Sequence, residues 1–222
     1  ASGETERALN DAGIKTIQCD LLDRDAVRRL PDAPNVVFMA GQKFGTTEAP
    51  ERTWLMNVVV PAICAERYAT SRIVAFSTGN VYPLMPVTSD GAREAEMPAP
   101  VGEYAASCLG RERIFEGAAA KGTPGARVAI VRLNYAIDLR YGVLADLANH
   151  VVAGTPISVA MGFVNVIWQS DANRAALELL RELRHLQPCD VGLCAAEPLE
   201  DVGREHGHQE ADDQHDHHDL DE

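Results

Sequence analysis

From its start to about Arg184, the chain alternates short, nearly unbroken apolar runs with longer segments in which apolar residues recur every three or four positions. The runs KTIQC (15–19), NVVFMA (35–40), RIVAFS (72–77) and ARVAIVRL (126–133) are rich in β-branched residues. Apolar character on both faces of a strand means that both faces are covered, so these runs predict parallel strands buried inside a layered fold. Helical spacing fills the intervals over Arg24 to Leu30, Glu51 to Ala69 and Glu103 to Ala120. Strand and helix in alternation predict an α/β fold, a doubly wound parallel sheet with helices on both faces. Ligands bind such sheets at the carboxyl ends of the strands, so chemistry is expected in CDLLD, MAGQK, STGNVY and RLNYA, the stretches that follow each run.

Past the fourth run the pattern loosens. A helix is expected over Leu144 to Ala153, strand-like segments at ISVAM and VNVIW, and a helix from Asp171 to about Leu186, together a small lobe beginning near residue 137. Residues 1–186 thus read as one domain with a small lobe, and 187–222 as an acidic, histidine-rich tail with too few apolar side chains to offset chain entropy, expected to be disordered. Residues 197–222 hold 11 acidic residues and one arginine, so they carry −10 of the net charge of −13 and leave an ordinary surface elsewhere. Nothing in that balance suits nucleic acid. No apolar run approaches the roughly 18 residues that cross a bilayer, which argues against a membrane span. ASGETERALNDAG lacks the order of a signal peptide, so a cytoplasmic location is expected. The five cysteines (19, 64, 108, 189 and 194) include no CxxC pair and read as reduced thiols.

Two features of the ends bear on function. A dinucleotide fold opens with a strand and a G-x-G-x-x-G turn, and the sequence contains no such turn. It begins with what reads as the helix after a second strand, so the expectation is an N-terminally truncated form with its first strand or strands missing. From Pro188 onward the α/β pattern ceases, which suggests an altered C-terminus.

The candidate chemistry centres on two oxygens. Thr78 closes a strand, and Tyr104 lies 26 residues later near a helix start, so the two can converge on one cleft. Such a pair can share a substrate hydroxyl: the phenolate takes its proton while a hydride leaves the carbon for a nicotinamide. A phenol with a pKa near 10 needs a cation beside it to ionise at neutral pH. Cys108, four residues on, supplies none. Arg111, seven residues on, shares the face one turn further and is the candidate substitute, against a plain alternative in which Tyr104 packs on the sheet and Arg111 is a solvated surface charge. Cys108 has no histidine within local reach and reads as a small helix residue, not a nucleophile. The tail histidines, HGH at 206–208 and HDHH at 215–218, suit weak metal binding, but their irregular spacing argues against a defined site, and no metal ligand is assigned.

DLLD after one run, AGQK after the next, Asn57 in a helix, then STGNVY, YAASC and RLN occur in an order that resembles the extended short-chain dehydrogenase/reductases, the NAD-dependent epimerase/dehydratase group acting on nucleotide sugars. The resemblance covers about residues 16–180 and implies a Rossmann-like domain binding NAD or NADP. It puts Asp20, with Leu21, at the adenine amino group, lets the cofactor approach Ala40 and Gly41, aims Lys43 at the nicotinamide ribose and uses Asn57 to steady the cofactor loop. Thr78 and Tyr104 take the catalytic positions, with Arg111 beside them. The same resemblance implies a nucleotide sugar or related hydroxyl or keto substrate, and a homodimer through the 51–69 and 103–120 helices. The sequence departs from the group in its missing glycine turn, in Cys108 where a lysine is usual, and in a changed turn at residues 133–138. A catalytically impaired nucleotide-binding or scaffold relative is therefore the alternative.

Overall fold

Three of the four apolar runs form one parallel sheet in the computed structural model, which describes residues 3–46, 48–121, 126–159 and 162–185. Strands β1 (Asn35–Phe38), β2 (Arg72–Thr78) and β3 (Arg127–Leu133) lie side by side in that order. Phe38 pairs with Ala75 and Thr78 with Leu133, so the carboxyl ends open on one edge.

Side chains alternate across a strand, and β2 buries both sets. Ile73 and Ala75 join Phe38, Val60, Cys64, Ala65 and Phe115 in one core. Val74 and Phe76 join Ala129, Ala176, Leu179 and Leu183 in another. The first core is built on helices α4 (Val60–Arg67) and α5 (Gly102–Ala120), the second on α7 (Gln169–Glu182) and the Leu183 that caps it. Helices thus cover both faces, as the strand pattern predicts.

The 51–69 segment is not one regular helix. It runs as α3 (Pro50–Trp54), a π-helical turn over Leu55–Val59, and α4. Pro61 explains the turn: it has no N–H to donate to the carbonyl four residues back, and its ring crowds that carbonyl. The chain relaxes by bonding Val60 N–H to Leu55 O, which accommodates one extra residue.

The other differences from expectation have equally local causes. Residues 15–19 form no ladder; they lie against α1 (Gly3–Asp11), where Thr16 Oγ1 contacts Glu6 and Asn10 at 3.3 Å, with Ile17 49% exposed. A strand needs a neighbour. No described residue pairs with this run. The outer edge of β1 is accordingly open among the described residues, with Val37 40% exposed. Residues 157–159 are extended without pairing, while 160–161 lie outside the described residues.

The lobe is a second, two-stranded parallel sheet, β4 (Tyr135–Ile137) with β5 (Val166–Trp168), and helix α6 (Val143–Ala153) against β4. Helix α7 meets both sheets: it touches β4 and β5 of the lobe, and its apolar stripe of Ala176, Leu179 and Leu183 packs on Val74 and Phe76 of the main sheet.

The remaining elements are short. Helix α2 (Arg24–Arg28) is capped by the Asp23 carboxylate, which accepts from the N–H groups of Asp25 and Ala26. Cys19, Cys64 and Cys108 are free thiols, and burial pushes Cys64 up to about 11. Among the described residues no helix is long and apolar enough to cross a membrane. The tail, 187–222, with its histidines, lies outside the described residues.

Candidate active site

Where β2 ends, Thr78 turns the chain into a short 3₁₀ helix (Gly79–Val81), and its Oγ1 accepts from Asn80 N–H at 3.2 Å. Tyr104 sits in the first turn of α5, where its side chain and that of Thr78 line the same cavity. Cys108 lies one turn further on along the same helix and is itself buried. Burial is the main cause that lifts Tyr104 above the usual phenol range, and Cys108 adds to it; Thr78 and the Arg111 charge oppose the lift without cancelling it. Tyr104 therefore rests as a neutral phenol holding its proton. Cys108, also buried, is raised chiefly by burial as well.

The pair opens on a cavity of about 730 Å³ at the carboxyl ends of the sheet strands, lined on its far side by the lobe. Lys43, Thr78, Tyr104, Arg111, Tyr135 and Asp146 all reach it. Lys43 Nζ lies 4.4 Å from the centroid of the Tyr135 ring, so a cation–π contact joins the loop after β1 to the lobe across the cavity.

Arg111 is not a solvated charge: it is 6% exposed. Its Nη1 donates to Phe76 O at 2.9 Å and its Nη2 to Asn57 Oδ1 at 2.7 Å, while Nε is buried without a partner. Its effect on the Tyr104 proton is real but weak, since its hydrogen bonds are spent on the sheet and on Asn57.

Asn57 is completely buried in the π-helical turn and makes a two-way bond with the loop after β1. Oδ1 accepts from Gln42 N–H at 2.8 Å, and Nδ2 donates to Gln42 O and to Ser107 Oγ, each at 2.9 Å. This pins the loop that carries Gly41 and Lys43. Gly41 lies so close that a Cβ there meets Arg111 Nη2 at 2.3 Å and Asn57 Oδ1 at 2.9 Å. Gly41→Ala is expected to cost about 1–3 kcal/mol, the usual range for overpacking, because the guanidinium is held at both nitrogens and cannot swing aside freely. Urea unfolding checks this, and a change below about 0.5 kcal/mol contradicts the packing described.

Of the residues singled out in the sequence, the structure brings Gly41, Lys43, Thr78, Tyr104 and Arg111 to one cavity, with Asn57 directly beneath. Ala40 packs against the first core. Asn134 and Tyr135 line the cavity too. Asp20 and Leu21 do not reach it: Asp20 is exposed, its Oδ1 accepts from Leu22 N–H at 3.0 Å, and it borders a separate hollow beside α1, while Leu21 packs against the first core.

Sequence reasoning passed over Ser77, Glu112 and Arg132. Glu112 is fully buried, ion-paired with Arg132 at 2.8 Å and bonded to Ser77, the residue before Thr78. A signal was present: Tyr104, Cys108, Glu112 and Phe115 make one helical stripe, and a carboxylate on a core stripe needs a buried partner.

Comparison with known proteins gives a consistent picture. A family model described as NAD dependent epimerase/dehydratase family matches residues 1–159. No curated protein matches the sequence significantly. Among solved structures, RMD from Pseudomonas aeruginosa, complexed with NADPH, is 20% identical with a TM-score of 0.64, over 81% of this chain and 70% of that one. The UDP-Glc/GlcNAc 4-epimerase of Campylobacter jejuni is 19% identical with a TM-score of 0.67, over 84% of this chain and 65% of that one. The UDP-glucose 4-epimerase of Thermotoga maritima, solved with UDP-glucose, is 18% identical with a TM-score of 0.61, over 74% and 58%. The chain thus spans between 58% and 70% of the length of these proteins, and at such identities the likeness shows the fold.

Proposed function

Because this chain belongs to the NAD dependent epimerase/dehydratase family, we propose that it is an NAD(P)-dependent epimerase or dehydratase acting on a nucleotide sugar or a related hydroxyl or keto compound, with Thr78 and Tyr104 as the reacting pair. The observation that carries this reading is the convergence of those two side chains on one cavity beyond the strand ends. The cavity, about 730 Å³, has the size that takes such ligands, and its donors suit a ribose and a reacting oxygen. Lys43 and Tyr104 hold the ribose in this reading. A bound nicotinamide supplies the hydride acceptor or donor.

The chain's own contribution is proton handling. Thr78 holds the substrate oxygen, and Tyr104 gives its proton to that oxygen when a carbonyl is reduced and takes one back when a hydroxyl is oxidised. Its raised pKa keeps the resting group a phenol at neutral pH and makes the phenolate, once formed, a stronger base. Arg111 stands beside the pair as the permanent cation. A homodimer through the 51–69 and 103–120 helices belongs to the same proposal, and the exposure of Trp54 and Leu55 supports it.

Titration with NAD, NADP and their reduced forms, followed by turnover of UDP-glucose, tests the reading; a chain that binds none of these nucleotides refutes it. One observation favours a second reading, a catalytically impaired relative: the residue one turn on from the phenol is a buried thiol instead of a cation. Cys108→Lys alone is expected to lower stability, because it sets an ammonium in a buried position beside the Arg111 guanidinium. Cys108→Lys combined with Arg111→Ala relieves that repulsion. If the parent chain binds nucleotide without turnover and the paired variant gains hydride transfer at least tenfold, the second reading holds. If the parent turns over and the paired variant gains nothing, Arg111 serves as the cation.

A further inference from the structure

Beneath the reacting pair lies a polar cluster that no step above uses. Glu112 is 0% exposed, yet its carboxylate ties together separate segments of chain. Ser77 Oγ donates to Oε1 at 2.5 Å. Arg132 donates from Nε to Oε1 at 3.0 Å and from Nη2 to Oε2 at 2.8 Å. Arg132 in turn lies over the Tyr82 ring, its Cζ 4.6 Å from the centroid. Ser77 and Arg132 are paired residues of β2 and β3, and Tyr82 follows the 3₁₀ turn, so one carboxylate on α5 joins two strand ends and, through Arg132, the turn between strand and cavity.

Stability alone gives no reason for charge at this place. A buried ion pair gains little over apolar side chains of the same volume, because desolvation offsets most of the attraction. What it adds is direction: hydrogen bonds fix angles as well as distances, and a bidentate carboxylate–guanidinium contact admits one arrangement. The location of Glu112 gives that direction a use. It stands on the helix that carries Tyr104, eight residues later, and it bonds to the residue immediately before Thr78. The two halves of the reacting pair are therefore linked from behind by Glu112 and Ser77.

We propose that Glu112 is a positioning residue whose bond to Ser77 sets the distance and angle at which Thr78 meets Tyr104, with Arg132 holding the carboxylate in a single rotamer. This rests on the reading of Thr78 and Tyr104 as the reacting pair, but its test uses geometry and not turnover.

The test places 3-fluorotyrosine at position 104 of the full chain and records its ¹⁹F resonance. Glu112→Gln keeps the volume but replaces one acceptor oxygen with an NH₂ facing a donor, so either Ser77 or Arg132 loses its partner. The resonance is expected to shift or split in Glu112→Gln, and to shift less in Ser77→Ala, which leaves the ion pair whole. Ala176→Gly, in the core on the other face of the sheet, is the control and is expected to leave the resonance unmoved while lowering the unfolding temperature. The proposal is overturned if folded Glu112→Gln and Ser77→Ala both keep the parent resonance, or if the control moves it equally. Should Glu112→Gln fail to fold, Ser77→Ala decides alone. Absence of nucleotide binding by the parent would remove the functional reading and leave the measured linkage standing.

Discussion

Tyr104→Phe is expected to lower kcat by about 10²- to 10⁴-fold, the usual contribution of a positioned proton donor or acceptor, while nucleotide affinity changes by no more than a few-fold. The substitution removes one oxygen from a residue already packed in the helix's first turn, so fold and cavity stay as they are. The parent's pH profile supplies an independent check. Burial and the Cys108 sulfur raise the phenol above its usual value of 10.0, so the neutral form persists beyond that pH. In the direction where Tyr104 donates, the rate is expected to stay level through neutral pH, with its alkaline fall above pH 10. In the direction where it must accept, the rate is expected to climb with pH across the same range without levelling. Steady-state kinetics in both directions reads this out. A Tyr104→Phe enzyme that keeps its kcat assigns the proton transfer to another group.

Glu112→Ala is expected to be the most destabilising single change considered, by about 3–5 kcal/mol, the range for removing one partner of a buried pair. Arg132 is left charged with its side chain only 12% exposed, and Ser77 loses its acceptor. The paired replacement Glu112→Leu with Arg132→Met removes both charges and is expected to recover most of the loss, since apolar substitutes for a buried pair are often neutral or better. Urea unfolding of both single variants and the pair measures the coupling. A single-variant cost below about 1 kcal/mol shows that water reaches the site and that the pair is not buried as described.

Much of this arrangement was legible in the sequence. Strands buried on both faces declare themselves as unbroken apolar runs, and that signal gave β1, β2 and β3. Thr78 and Tyr104 were legible because strand-end and helix-start positions converge in any doubly wound sheet. Other features depend on partners far along the chain. The run at 15–19 has strand composition but no ladder partner among the described residues, and composition does not report a neighbour. Glu112 and the partners of Arg111 were not legible, because each side chain is satisfied by groups 20 to 54 residues away. Local periodicity carries no trace of such pairings, although a carboxylate on the Tyr104–Phe115 stripe was a warning.

The extra residue accommodated beside Pro61 also governs what length changes this segment tolerates. Deleting one residue between positions 55 and 59 would give a tidier spiral but rotate everything downstream by about 100°. Val60, Ile63 and Cys64 would leave the interior, or Thr53 and Asn57 would leave it in their place. The irregularity works as a phase shifter, and shortening it severs the loop anchor from the hydrophobic interior more thoroughly than most point substitutions there.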